Sequence, residues 1–192
     1  IISDLQEKKT DILTGTQMVA KGLDFDNVTL IGVINADTLL NYPDFRAFER
    51  SYQLLAQVAG RAGRRDKQGK VIIQAYDDNH RIINQVIDNK YLEMYNEELA
   101  ERKQFNYPPF TRLIFINIKH KDADLLNVAS QKFANILKGQ LGGRVLGPEQ
   151  PLVSRVRNYY IKQVIIKSDK NTSVQKVKSI LKDTIVQFQS EK

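Results

Sequence analysis

The sequence predicts an α/β lobe followed by a small α+β domain, and three observations carry that expectation. Through residue 108, short β-branched apolar runs alternate with stretches of helical periodicity, the pattern of an α/β layer. Tyr107-Pro108-Pro109 then interrupts, because proline cannot continue a helix. Beyond it, in 109–192, the periodic segments run strand, helix, strands, helix, the order of a split β-α-β sandwich.

Each element follows from local pattern. Asp11-Ile12-Leu13-Thr14 reads as a short strand, and Val28 to Ile34 as a nearly continuous apolar strand buried on both faces of a parallel sheet. From Asp44 to Val58 the spacing is helical, with Phe45, Phe48, Tyr52, Leu55 and Ala59 on one stripe and Pro43 at the entry. Val71 to Ala75 returns to strand, and helical sequence covers Arg81 to Gln104. In the second part Arg112 to Ile118 is a strand, and Asp122 is placed to cap a helix through Leu137 that Gly139 would end. Val145 to Pro148 and Leu152-Val153 read as short strands, Tyr159 to Lys167 as a longer one. A closing helix, Ser173 to Phe188, is expected to bury Val174, Val177, Ile180, Leu181, Ile185 and Phe188.

Composition removes several function classes. The 192 residues are 42% hydrophobic and 27% charged, enough for one large or two small cores. There is no Cys and there are only two His, so disulfides are impossible and a zinc site built from this chain alone is not expected. No long apolar run and no signal segment occur, and the chain opens Ile1-Ile2-Ser3, so it reads as a soluble piece of a longer polypeptide with no membrane role. The net charge of +7 is uneven: residues 1–108 hold 14 Lys+Arg against 16 Asp+Glu, whereas 109–192 hold 15 against 6. That +9 half suits a polyanionic partner, or equally a solvated lysine-rich surface.

The chemistry concentrates in Gln57-Val58-Ala59-Gly60-Arg61-Ala62-Gly63-Arg64. Glycine lets the backbone turn or approach closely, and arginine supplies a permanent charge on a planar fork that matches phosphate oxygens. Two such forks after an amphipathic helix suit a loop that grips a γ-phosphate across a cleft. A bare Gly-Arg-x-Gly-Arg would fit a basic surface turn as well; the eight-residue context favours the phosphate reading.

The stretch Gln-x-x-Gly-Arg-x-Gly-Arg resembles motif VI of superfamily-two helicases, and Gly15 to Phe25 (Gly-Thr-Gln-Met-Val-Ala-Lys-Gly-Leu-Asp-Phe) resembles their motif V. Asn35-Ala36-Asp37, Tyr42-Pro43-Asp44-Phe45-Arg46 with Ala47 to Arg50, Tyr107-Pro108-Pro109-Phe110 and Leu146-Gly147-Pro148 resemble the primosomal replication-restart DNA helicase family (primosomal protein N′, PriA) in its C-terminal region. The resemblance covers essentially the whole chain. It implies that 1–108 is the later part of a RecA-like helicase lobe 2, and 109–192 a basic α+β C-terminal domain. It implies ATP with magnesium in the intact enzyme, 3′-to-5′ unwinding of DNA at stalled forks, and a bacterial cytoplasmic, nucleoid-associated setting. Arg61 and Arg64 would contact the γ-phosphate, with Arg64 in the finger-like role, and Gln57 would help line the ATP pocket. Gly22 and Asp24 would lie near the ribose, and Thr16, Gln17 and Lys21 would couple nucleotide state to the DNA strand. Asp24 is equally readable as a turn residue, Lys21 as an exposed lysine, and Asp37 as packing or capping.

Two absences matter. No Gly-x-x-x-x-Gly-Lys-Ser/Thr occurs, since the one Gly-Lys pair, Gly69-Lys70, precedes Val71, and no Asp-Glu pair is available to activate water. This chain is therefore expected not to hydrolyse ATP alone. The family's zinc cysteines would also have to lie outside it.

In the basic half, Ser154 to Lys162 interleaves cations with aromatics, and Arg155, Arg157, Tyr159 and Lys162 are the expected DNA contacts. The alternative is that Tyr160 and Ile161 enter the sheet core and only the cations face water. Ile161 also stands where the family resemblance leads one to expect arginine. The family further implies primosome partners and a single-strand-binding protein whose acidic tail needs a basic pocket, for which Lys170, Gln175, Lys176 and Lys178 are candidates. The competing readings are a non-enzymatic nucleic-acid-binding module and another superfamily-two DNA translocase.

Overall fold

The computed structural model describes residues 2–7, 9–16, 28–60 and 69–190. Two compact units divide the chain, Ile1–Leu99 and Ala100–Lys192. The division falls inside a helix, ahead of the Pro108-Pro109 break on which the sequence boundary rests.

The first unit contains helix α1 (Ile2–Gln6), strand β1 (Leu30–Val33), a short helix α2 (Asp37–Leu40), helix α3 (Ala47–Ala59), strand β2 (Lys70–Ile73), helix α4 (Arg81–Ile87) and helix α5 (Tyr91–Gln104), which crosses into the second unit. Strands β1 and β2 pair in parallel, Leu30 opposite Lys70 through Val33 opposite Ile73. Their inward side chains Val33 and Ile73 pack on a core of Ala36, Leu40, Tyr52, Leu55, Ile82, Ile83, Val86 and Met94. The expectation that Val28 to Ile34 is buried on both faces fails: Leu30 is 56% and Ile34 81% exposed. An apolar run specifies that a face tolerates burial, not that something covers it. Residues 11–14 form no strand.

Helix α3 begins at Ala47, later than expected, because Asp44 organises the turn before it. Its carboxylate accepts from the Arg46 backbone N–H at 2.9 Å and from the Arg50 guanidinium at 2.8 Å. The apolar stripe is otherwise as read, with Tyr52 and Leu55 buried and Phe48 packed against them. Asp37 takes a packing role: its carboxylate accepts from the Tyr76 N–H at 2.9 Å, joining α2 to the chain after β2.

The helical sequence over 81–104 forms two helices, α4 and α5. Asn89 adopts φ +55°, and Lys90 N–H donates to the Gln85 carbonyl, closing α4 before α5 starts. Arg81 clamps the pair, donating to Glu97 at 2.9 Å and to the buried Glu98 at 3.1 Å. His80 caps α4 through Nδ1, which accepts from the Ile82 N–H at 3.2 Å.

The second unit holds β3 (Thr111–His120), α6 (Ala123–Leu141), β4 (Val145–Glu149), β5 (Arg155–Val156), β6 (Tyr159–Asp169) and α7 (Val174–Ser190). The sheet order is β3-β6-β4, with β5 pairing β6, and every pairing is antiparallel. Strands β3 and β4 are therefore parallel to each other, joined through α6 and separated by β6, which is the split β-α-β arrangement. Phe133, Ala134, Leu137 and Leu141 of α6 meet Val145, Val164 and Ile166, while Ile180, Leu181 and Phe188 of α7 close the core. Phe133 and Phe188 meet edge-on at 5.4 Å.

Asp122 caps α6 as expected, accepting from the Asp124 and Leu125 N–H groups at 2.9 and 3.0 Å. These two bonds, that from Leu125 foremost, hold its carboxyl below the usual carboxylate range. The helix runs past Gly139 to Leu141, because Leu141 is a core residue and Gly142 is the one that takes φ +62°. Leu152 and Val153 lie outside any strand; the short strand is Arg155–Val156. On α7 Val177 and Thr184 are buried and Ile180, Leu181 and Phe188 half-buried on one stripe, leaving Val174 and Ile185 exposed where burial was expected. A helical stripe of i, i+3, i+4, i+7 selects Thr184 over Ile185 by angle, whatever their polarity. Lys167 ties the segment after α5 to the sheet: its ammonium donates to the Phe105 carbonyl at 2.8 Å and lies 3.9 Å from the centre of the Tyr107 ring. Burial pushes its pKa below the ordinary lysine value.

Candidate nucleotide and nucleic-acid interface

Helix α3 carries Gln57, the first residue of the candidate phosphate motif. Its buried residues Ser51, Tyr52, Leu55 and Val58 anchor one side, and Gln57, between Leu55 and Val58, is exposed. The helix ends at Ala59, and Gly60 N–H bonds to the Ala56 carbonyl. Arg61 and Arg64 lie outside the described residues, as do Gln17, Lys21, Gly22 and Asp24. Thr16 is exposed in an irregular stretch. Of the nucleotide-side candidates, only Gln57 and Thr16 therefore have a described position.

The basic segment of the second unit is a β-hairpin. Arg155 pairs with Tyr160 and Val156 with Tyr159 across β5 and β6, and Arg157 and Asn158 make the turn. The Arg155 guanidinium sits over the Tyr160 ring at 4.8 Å, a cation–π contact that holds the charge out at the hairpin. Arg157 is exposed with φ +47°. Tyr159 is 44% exposed, and the Lys121 ammonium lies 5.6 Å from its ring. Arg155, Arg157 and Tyr159 are thus gathered at one exposed tip, and Lys121 joins them from the turn after β3. Lys162 stands apart: it is half-buried, opposite Ile118 in the register. Ile161 is 7% exposed and Tyr160 half-buried, so both pack, yet Tyr159 presents an aromatic face with the cations.

Lys170, Gln175 and Lys176 are all exposed, at the turn after β6 and the first turn of α7. Arg112, not singled out by sequence, donates to the Thr172 carbonyl at 3.2 Å and adds a cation beside that turn. Only register reveals this, because Arg112 lies in β3, far from α7 in sequence. Among the described residues no group of three or more His, Asp or Glu is placed to hold a metal ion. Nor is any described helix long and apolar enough to cross a membrane.

Comparison with known proteins adds to this geometry. Residues 103–192 match the family described as the primosomal protein N C-terminal domain, and residues 1–66 match the helicase conserved C-terminal domain. The replication restart protein PriA of Bacillus subtilis is 40% identical across the whole chain. The chain belongs to the PriA family. PriA of Haemophilus influenzae is 37% identical over 91% of the chain, and that of Borreliella burgdorferi 33% over 96%. The chain spans about a quarter of the length of these PriA relatives, 24% in B. subtilis and H. influenzae and 28% in B. burgdorferi. The match to a helicase C-terminal model and to a PriA C-terminal model agrees with the mixed α/β architecture of the first unit and the α+β sandwich of the second.

Proposed function

We propose that this chain is the C-terminal portion of an ATP-dependent 3′-to-5′ DNA helicase that restarts replication at stalled forks. The observation that carries the reading is the Gln57-to-Arg64 motif, set at the end of a firmly packed helix in a chain that matches PriA relatives from end to end. Residues 1–108 are the later part of a RecA-like lobe 2. This lobe donates Arg61 and Arg64 to the γ-phosphate of an ATP held mainly by another lobe, with Gln57, Gly22 and Asp24 at the nucleotide and magnesium supplied with the ATP. Thr16, Gln17 and Lys21 couple the nucleotide state to the strand. Closure on ATP and reopening after hydrolysis step the motor along DNA.

Residues 109–192 form a DNA- and partner-binding domain. Arg155, Arg157 and Tyr159, with Lys121, grip DNA, and Lys162 plays a lesser part. Lys170, Gln175 and Lys176 receive the acidic tail of a single-strand-binding protein, and primosome proteins assemble on the same enzyme in the bacterial cytoplasm. The chain alone does not turn over ATP, because it has neither a P-loop nor an acidic magnesium motif. The test is DNA-stimulated ATP hydrolysis by the intact protein carrying Arg64→Ala. An arginine at a developing phosphoryl charge contributes roughly 10³–10⁵ in rate, so turnover should collapse while ATP still binds. Unchanged turnover, or ATP hydrolysis by the 192-residue chain itself, refutes the assignment.

A further inference from the structure

Helices α6 and α7 cover one face of the second unit's sheet, and the other is open at its centre, where Phe115 and Leu146 are exposed. Side-chain alternation along paired strands assigns residues to that open face. Leu113, Phe115, Asn117 and Lys119 of β3 lie on it, beside Ile161, Gln163, Ile165 and Lys167 of β6 and Leu146 of β4. Ile161 is buried and Phe105 and Tyr107 lie against Lys167, so the exposed part is the middle of the face. Phe115, Ile165 and Leu146 form one row across three strands, with Phe115 52% and Leu146 41% exposed. A half-exposed phenyl ring within a β-sheet row leaves apolar surface in water that a ligand would cover.

The surroundings of that row specify the ligand. In the next row Gln163 Nε2 donates to Asn117 Oδ1 at 2.9 Å, a pair of amides of the kind that hydrogen-bonds base edges. Lys119 follows on the same face, about 13 Å from Phe115 along the strand, and then Lys121 beside the Tyr159 ring. The carboxylates around this face are Glu149, opposite Gln163 in the register, Asp169, paired with Arg144 at 3.1 Å, and Asp122, next to Lys121 and engaged in capping α6. An aromatic platform, adjacent amides and a file of cations fit a polyanion whose flat rings are free to stack. A duplex keeps its bases stacked on one another; a single strand does not.

We infer that this open sheet face binds single-stranded nucleic acid, with a base stacked on Phe115, base edges against Asn117 and Gln163, and phosphates on Lys119 and Lys121. The inference rests on the DNA-binding reading above and places the strand's path on the sheet, leading away from the hairpin.

The chain has no tryptophan, so Phe115→Trp creates a lone indole on the platform. The full 192-residue variant is titrated with a fluorescein-labelled oligothymidylate and with a hairpin duplex, following label anisotropy and, with unlabelled DNA, indole emission. Single-strand binding accompanied by saturable indole quenching, with none from the duplex, is the expected result. Single-strand binding without quenching overturns the platform while leaving the cationic hairpin as a DNA site. Absence of single-strand binding at low salt overturns both readings, and the apolar row is then a protein contact. Phe115→Ala, checked for folding by urea melt, should weaken single-strand binding about ten-fold or more and leave duplex binding unchanged. Equal losses on both refute base stacking.

Discussion

Arg157→Gly separates DNA binding from folding at a single position. Arg157 occupies the turn of the β5–β6 hairpin with φ +47°, a region that costs an L-residue about 1–2 kcal/mol. Glycine enters that conformation freely but loses more chain entropy on folding, roughly 0.5–1 kcal/mol. The two effects offset, so the variant should match the parent's stability to within about 1 kcal/mol. Its charge is gone, however. Each cation removed from a phosphate flattens the dependence of log K on log salt by about 0.7 for a single strand. Between 50 and 200 mM salt, wild type should therefore lose about 2.6-fold more affinity than the variant per contact removed. The assay is anisotropy of a labelled oligonucleotide across a salt series, with urea unfolding run in parallel. An unchanged slope at unchanged stability takes Arg157 out of the interface. A stability loss well beyond 1 kcal/mol shows that the arginine side chain, and not the backbone, decides that turn.

Three further outcomes test the fold that positions these residues. Leu137→Ala, in the fully buried α6 face beside Val164 and Ile166, should destabilise the second unit by about 2–5 kcal/mol in urea, whereas exposed Val128→Ala on the same helix should change little. Gly147→Ala should cost roughly 2–4 kcal/mol, because φ is +93° and an added Cβ would stand 2.8 Å from the Gln163 carbonyl oxygen; thermal unfolding of the variant measures this. Asp122 has its pKa depressed by the Leu125 and Asp124 N–H groups. Its contribution is therefore complete above the ordinary carboxylate pKa and is lost as pH falls through the lower, folded-state value. Urea midpoints of wild type and Asp122→Ala should differ at neutral pH and converge in acid; a gap that persists in acid removes the charge from the cap's role.

How much was legible in the sequence can be judged element by element. The stripe of α3 was readable because Phe48, Tyr52 and Leu55 repeat at the helical period, and the Asp122 cap because its side chain bonds the next turn of its own backbone. The family resemblance was readable for the same reason: Gln57 to Arg64 holds two glycine-arginine pairs within five residues of sequence. The break between α4 and α5 was missed because Asn89 has no proline or glycine to announce it, although asparagine tolerates the left-handed conformation it adopts. The helix end at Gly142 was missed because two glycines were eligible, and only the demand of Leu141 for the core chooses between them.

The sequence by itself therefore determined most of the element types, the order of an α/β part followed by an α+β part, and the family, all properties carried within short spans. The tertiary structure decided what depends on pairing between distant segments. Register alone sets Arg155 against Tyr160, brings Lys121 to Tyr159, and lines Phe115, Ile165 and Leu146 into one row. It also decided which apolar faces remain uncovered, Leu30 and Ile72 in the first unit and Phe115 in the second. Hydrophobicity is a property of a residue, whereas burial depends on the neighbours that the fold supplies.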